Sequence, residues 1–505
     1  MRGCLISAIA LLTSAGISVA QPALSLELSE EDLAPTGPGM FLADNLTPPA
    51  SGGLPVVDLT NAEPVFGNLR RLVAAGVAQG FDGIVYENRD RGHSRLRYSE
   101  FPALTWLTYS DALKRGGLDY GLAGSVFTNL VTFGNSSTAI TRGTAKRSLA
   151  RAAMTQNGLA ARMFESYLRN QIFVYPEHRD HDDADYFPAN WPYTIISQGS
   201  SGSDREFLKA IALTLASFQP ETFQALRDSG LVAPTVQMIL RRELASVVRP
   251  EHYFTARAHP VVFRGSNLRP GRMVARASSL REEAIPPMVR IRVESESFSN
   301  AAGLAGLSEK LFDTPSAVAR IWRDTAGRKS MTVTAAGTED PNGRALTFSW
   351  FVLSGEEDRI RIEPLDAAGT RTRIEFDWQQ PKILRGQLSK GKGRLRSRVD
   401  IGVFADNGLE VSAPAFISVD IPEHQERSYE MVGEDAPILI SIDYDAIGRG
   451  AYYDPLLFWS APWTDRINGT TRERRLADGS WQPVPDGGYE IDRSNPVKPV
   501  LVHRN

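Results

Sequence analysis

Cysteine is nearly absent: the 505-residue chain has one, Cys4. It sits in an N-terminal stretch with a basic Arg2, an apolar run from Cys4 to Leu12 and the small-residue ending Ser18-Val19-Ala20, the layout of a secretory signal peptide cut after Ala20. The mature chain then carries no thiol, which excludes disulfides, cysteine nucleophiles, and zinc or iron–sulfur sites built on cysteine. Cohesion must come from core burial, which a chain of this length supplies in two to four domains. Long apolar runs are lacking too. The leader's run is too short for an ordinary membrane span, and no other segment approaches about twenty uninterrupted apolar residues. The expected product is a secreted or periplasmic protein whose mature form has no transmembrane segment.

Nor is there an excess of charge: 59 acidic against 56 basic residues leave no electrostatic footprint for nucleic acid. One segment crowds Lys382, Arg385, Lys390, Lys392, Arg394, Arg396 and Arg398, and reads as a solvated loop before it reads as a polyanion site. No internal repeat is visible. Residues 21–55 hold SEEDLAPTGPG and TPPASGGLP, with too few periodic apolar residues for a core, and are expected as a flexible leader. Order is expected from Thr60, where Thr60-Asn61-Ala62-Glu63 has the spacing of a capping box, and Leu69, Leu72, Val73 and Val77 follow on one helical face up to Gly80.

Over 56–275 helical stretches alternate with short apolar runs at Ile84–Tyr86, at IFVY (172–175) and at WPYTIIS (191–197). That alternation argues for a helix-rich α/β or α+β domain and makes it the candidate functional domain. Residues 276–324 read as a connector. Beyond it come short β-rich runs separated by turn signals, the pattern of a β-sandwich. Thr338-Glu339-Asp340-Pro341-Asn342-Gly343 leads into Leu346-Thr347-Phe348-Ser349-Trp350, and Val399-Asp400-Ile401-Gly402-Val403-Phe404-Ala405 ends at Asp406-Asn407-Gly408. Over 325–422 the chain resembles the PKD-type immunoglobulin-like modules of secreted proteins, with Ala405 where their pattern has Asp or Asn. The resemblance implies an immunoglobulin-like sandwich built round Trp350. The last stretch, 423–505, carries Tyr444, Tyr452, Tyr453, Phe458, Trp459, Trp463, Trp481 and Tyr489, and is expected as a small aromatic β extension.

Three polar clusters follow the predicted strands of the first domain, where ligands bind in open α/β sheets. Glu87, Asp90 and His93 follow IVY and offer acid–base partners or further ligands, although Asp90 is expected first to pair with Arg89 or Arg91 across the loop. His178, Asp180, His181 and Asp182 follow IFVY, and imidazole with carboxylate suits a divalent metal ion as well as an acidic surface loop. Gly199-Ser200-Ser201-Gly202-Ser203 fits a loose nucleophile elbow with Ser201 as nucleophile, or an anion site at a helix start formed by Gly199, Ser200, Gly202 and Ser203. Against both, Ser203-x-x-Glu206 is a capping-box pattern. Gly134-Asn135-Ser136-Ser137 reads as a turn, and becomes a fourth wall only if the other clusters converge.

Two functions fit. One is a hydrolase of an ester or glycan-type extracellular substrate, in which Ser201 attacks with His178 or His181 as base, or a metal held by that loop activates water. The other is a non-catalytic cell-envelope protein that binds glycan or acts as an adaptor; in both, the partner is an extracellular or cell-envelope polymer. The leader makes the first testable claim: intact-mass analysis of the exported protein should give Gln21 as its first residue, and a product still carrying Met1 would refute cleavage.

Overall fold

The computed structural model describes residues 24–443, except 137–138, 141–146, 157, 178–186, 303–307, 385–393, 423–425 and 432–436, and beyond 443 only short strands between 452 and 503. The N-terminal region is built on a seven-stranded sheet. Its strands are β1 (Ser25–Leu28), β2 (Ile84–Asn88), β3 (Thr105–Tyr109), β4 (Val131–Asn135), β5 (Gln171–Pro176), β6 (Thr194–Ser197) and β7 (Val262–Phe263). They lie in the order β1-β3-β2-β4-β5-β6-β7, and every pairing is parallel. The expected α/β reading therefore holds, with four strands beyond the three that the sequence displayed.

Residues 24–55 are not a detached leader. Ser25–Leu28 pairs with β3 along the edge of the main sheet, and Ala34–Gly37, Met40–Ala43 and Val126–Thr128 make a small sheet of their own. Leu28 and Ala43 are fully buried with Val85, Leu107 and Leu113, so a few well-placed apolar residues suffice where no period is visible.

Six helices cover the main sheet: α1 (Pro64–Ala74), α2 (Leu159–Leu168), α3 (Arg205–Ser217), α4 (Pro220–Asp228), α5 (Val232–Arg242) and α6 (Pro270–Ser279). The expected cap at Thr60 is displaced. Thr60 bonds Asp58 at 2.8 Å, while Glu63 is the N-cap and Pro64 opens α1. Proline suits that first position because its missing N–H has no helical partner to lose. Helix α3 is buried along nearly its whole length, from Phe207 to Ser217, and small residues Ala210, Ala212 and Ala216 let its neighbours approach. Among the described residues no helix is long and apolar enough to cross a membrane.

The C-terminal half is antiparallel for the most part and begins earlier than expected, because the connector supplies strands. Strands β8 (Arg292–Glu296), β11 (Arg328–Thr334), β14 (Arg371–Asp377) and β13 (Ile360–Pro364) form one sheet in that order. The other runs β9 (Lys310–Thr314), β10 (Ala317–Ile321), β17 (Ala415–Ile421), β16 (Arg394–Asp406) and β12 (Thr347–Ser354), with β15 (Lys382–Leu384) also on β16 and one parallel pair, β10 with β17. The two sheets share an apolar cluster that includes Val318, Met331, Trp350, Ile374, Val403 and Ile417.

The second sheet is buried on its other face as well. Ala317, Ala319 and Phe404 belong to the core of the N-terminal region, and all seven residues of β17 are buried. Arg241 of α5 lies between the rings of Phe263 and Phe416, 5.0 Å from each centroid. Burial pulls its guanidinium down to about 10. His259 is buried beside Phe404 and Phe416 and bonds the Tyr253 carbonyl; burial, with Arg241 nearby, holds its imidazole well below the usual range. Ion pairs ring this contact: Glu410 takes Arg242 at 2.8 Å and Arg276 at 3.0 Å, and Arg276 also reaches Glu243 at 3.0 Å.

In the extension Glu426–Glu430 pairs with Ile438–Asp443, and its Arg427 guanidinium lies over the Trp378 ring of the β half, 3.8 Å from the centroid. Trp350 alternates inward with Phe348 on β12 and donates from Nε1 to the Gly369 carbonyl at 2.8 Å. Trp350→Ala should therefore cost about 3–5 kcal/mol in denaturant unfolding. A loss under about 1 kcal/mol would place the ring outside the core.

Candidate functional site

Because β2, β4, β5 and β6 are parallel neighbours, their carboxyl ends lie side by side and their following loops meet. The meeting is recorded in hydrogen bonds. Ser94, after β2, accepts from the Gly202 amide after β6 at 2.6 Å. Asn135, the last residue of β4, donates from Nδ2 to Asp204 Oδ2 at 2.9 Å. Glu177, after β5, accepts from the Gly199 amide at 3.1 Å. The clusters following β2 and β6 thus converge, and Asn135 forms the fourth wall. His178, Asp180, His181 and Asp182 lie outside the described residues.

The backbone is shaped to allow this. Gly134 packs so close to β2 that a Cβ there would lie 2.2 Å from the Glu87 carbonyl oxygen. Gly199 and Gly202 have φ of 120° and 102°, conformations that L side chains rarely adopt. Ser94 and Arg91 have φ of 54° and 50° without being glycine, a local cost of the kind found at functional loops.

Glu87 turns away from the crevice. Its Oε1 accepts from Arg89 Nη1 at 2.6 Å and from the Tyr109 hydroxyl at 2.5 Å, all three buried, while Arg89 also donates to the Tyr120 and Gly121 carbonyls. This cluster engages Glu87 Oε1 and braces the β2 end. It also corrects the expected pairing: Arg89 serves Glu87, and Arg91 lies over the Tyr120 ring, 4.4 Å from its centroid.

Asp90 and Asp204 are different. Asp204 is fully buried, and its Oδ1 has no hydrogen-bond partner among the described residues. Burial raises its carboxyl above the usual range, against the Ser94 hydroxyl, the Asn135 amide and the Gly202 backbone, which all favour the charged form. Asp90, 7 % exposed, is raised by burial; nearby His93 opposes the rise and Asp204 adds to it. The carboxyls are thus close enough to sense each other, with a solvent-exposed imidazole beside them.

Ser201 is exposed, and no base is hydrogen-bonded to it among the described residues. Ser203 does not cap α3: its hydroxyl pairs with Ser197 at 2.9 Å, and Asp204 stands at the N-cap without a side-chain cap bond. With that carboxylate at the helix start, Gly199, Ser200, Gly202 and Ser203 make a poor anion site. Among the described residues no group of three histidine, cysteine or carboxylate side chains is placed to hold a metal ion. Asn88, Asn135, Ser94 and Asp204 are the polar residues that spacing alone did not single out for chemistry. Their common signal is position, each two to eight residues beyond the apolar run of a strand or at a helix start.

No protein-family model matches the sequence, and no curated protein matches it. Among solved structures, it is similar to a nucleoside hydrolase-related protein of Saccharophagus degradans described as associated with carbohydrate metabolism, at 8 % identity, over 58 % of this chain and 71 % of that one, with a TM-score of 0.19. A likeness of that degree carries no inference about chemistry.

The raised carboxyl of Asp204 has a thermodynamic consequence. A folded-state value above the unfolded one means that the ionised form costs stability, absent at low pH and growing as pH rises through the folded value. Asp204→Asn keeps an acceptor for Asn135 and removes the charge, so it should stabilise the protein at pH 7 and have little effect near pH 3. Denaturant unfolding at both pH values checks this; a variant less stable than wild type at pH 7 would contradict it.

Proposed function

We propose that the protein is a hydrolase of an ester or glycan-type substrate in which Asp90 and Asp204, rather than Ser201, move the protons. The observation that carries this reading is the pair of buried carboxyls, both raised, where the strand-end loops converge. Two neighbouring carboxyls do not ionise together readily, and a difference in surroundings divides their roles. Asp204, the more buried and raised by that burial, is the carboxyl assigned to deliver a proton to the leaving group. Asp90, eased toward ionisation by His93, takes a proton from the attacking water.

The same reading places the protein outside the cytoplasm after loss of residues 1–20, acting on a cell-envelope polymer. It takes the β half as a PKD-type immunoglobulin-like module. The two motif ends support that assignment, since Asn407 Nδ2 donates to Asp340 Oδ1 at 2.9 Å. The second reading, a non-catalytic glycan-binding or adaptor protein, draws on the short strands Tyr452–Asp454, Trp459–Ala461, Trp481–Pro483 and Tyr489–Asp492, each of which carries aromatic residues.

A screen of model esters and glycans, with and without chelator, separates these readings. Asp204→Asn and Asp90→Asn should each lower kcat by about 10²–10⁴-fold with the fold intact. Loss confined to Ser201→Ala would restore the serine nucleophile, and loss on chelation would point to a metal at His178, Asp180, His181 and Asp182. Glycan binding without turnover would favour the adaptor.

A further inference from the structure

Asn135 has every polar group of its side chain engaged. Its Oδ1 accepts from the Tyr86 hydroxyl at 3.0 Å and from Asn88 Nδ2 at 3.1 Å; its Nδ2 donates to Asp204 Oδ2 at 2.9 Å and to the His93 carbonyl at 3.3 Å. The network has one orientation. Flipping the amide would set its oxygen against the Asp204 carboxylate and the His93 carbonyl, two acceptors, and its NH₂ against the Asn88 NH₂. Tyr86 is fixed in turn, because its oxygen accepts from the Leu96 amide at 3.3 Å. Tyr86, Asn135 and Asp204 are buried, while Asp204 Oδ1 is left without a hydrogen-bond partner among the described residues.

We infer that Asn135 is the positioning residue of the site: held by Tyr86 and Asn88, its amide occupies Asp204 Oδ2 and leaves Oδ1 as the carboxylate oxygen through which Asp204 meets a ligand or gives up its proton. This rests on the reading of Asp204 as the proton donor, and it adds which oxygen acts and what fixes it. The neighbouring groups that titrate are Asp90 and His93 in the loop after β2 and Tyr86 beneath; the Ser94 hydroxyl and the Gly202 backbone also favour the charged form of Asp204, alongside the Asn135 bond to Oδ2.

The test follows the carboxyl carbons of Asp204 and Asp90 by ¹³C NMR across pH in the full-length protein. In Asn135→Leu, Asp204 loses a donor to its charged form, so its titration should move up by about one unit. Asp90, freed of part of its neighbour's charge, should hold or move down. A merely structural role would admit water and bring both titrations down toward ordinary values, and that result overturns the inference. So does an Asp204 titration that does not move. Tyr86→Phe removes the donor to Asn135 Oδ1 and should move Asp204 upward by less; if Asn135→Leu does not fold, no upward movement in Tyr86→Phe overturns the inference by itself. Absence of any hydrolysis would defeat the proposed function and leave this titration, read without substrate, to decide the role of Asn135 separately.

Discussion

The sheet formed by β10, β17 and β16 is apolar on both faces, and most of the molecule is arranged to satisfy it. Val318, Ile417, Val403 and Ile401 fill the space toward the other β sheet, while Ala317, Ala319 and Phe404 turn the opposite way into the core of the parallel domain. A strand with one wet face would alternate between buried and exposed; β17 is instead buried at every position, its Ser418 hydrogen-bonded to Asp400. Arg241 is one buried charge that the arrangement tolerates, lying between two aromatic faces and bonded to the Trp191 carbonyl at 3.2 Å. Neither half can be removed without uncovering the other.

The same junction reaches toward the strand ends. Arg398 is bonded to Asp400 and to the Phe187 carbonyl, and Ser418 ties Asp400 to the Asn190 amide. The segment that leads into β6 is therefore anchored by β16 and β17.

Much of this architecture was legible in the sequence. Apolar runs at 84–86 and 172–175 marked two central strands, and the alternation of Phe348 and Trp350 marked a strand with one inward face. Edges were harder. Ser25–Leu28 contributes one fully buried residue, and Val262–Phe263 is two residues long, so neither offers a period to read. Capping patterns misled for a physical reason: at Thr60 and Ser203 a hydroxyl found a closer local partner, Asp58 and Ser197, than the helix end it was spaced to serve. In the candidate site, acidic residues and a serine drew attention by type. Whether a carboxylate is spent or available depends on partners far along the chain: Glu87 is closed by Tyr109, whereas Asp204 is held by Asn135 with one oxygen over, and no local pattern distinguishes them.

The shared sheet also sets an order of assembly. The parallel domain is complete in sequence by Ser279, yet its apolar face waits for Phe404 and for β17, which ends at Ile421. At ribosomal speeds of about 5–20 residues per second, those roughly 140 intervening residues take on the order of ten to thirty seconds to appear. Through that interval a domain that would otherwise close early presents a hydrophobic surface matched to a partner not yet made. Burial of that face therefore waits on the second half of the chain.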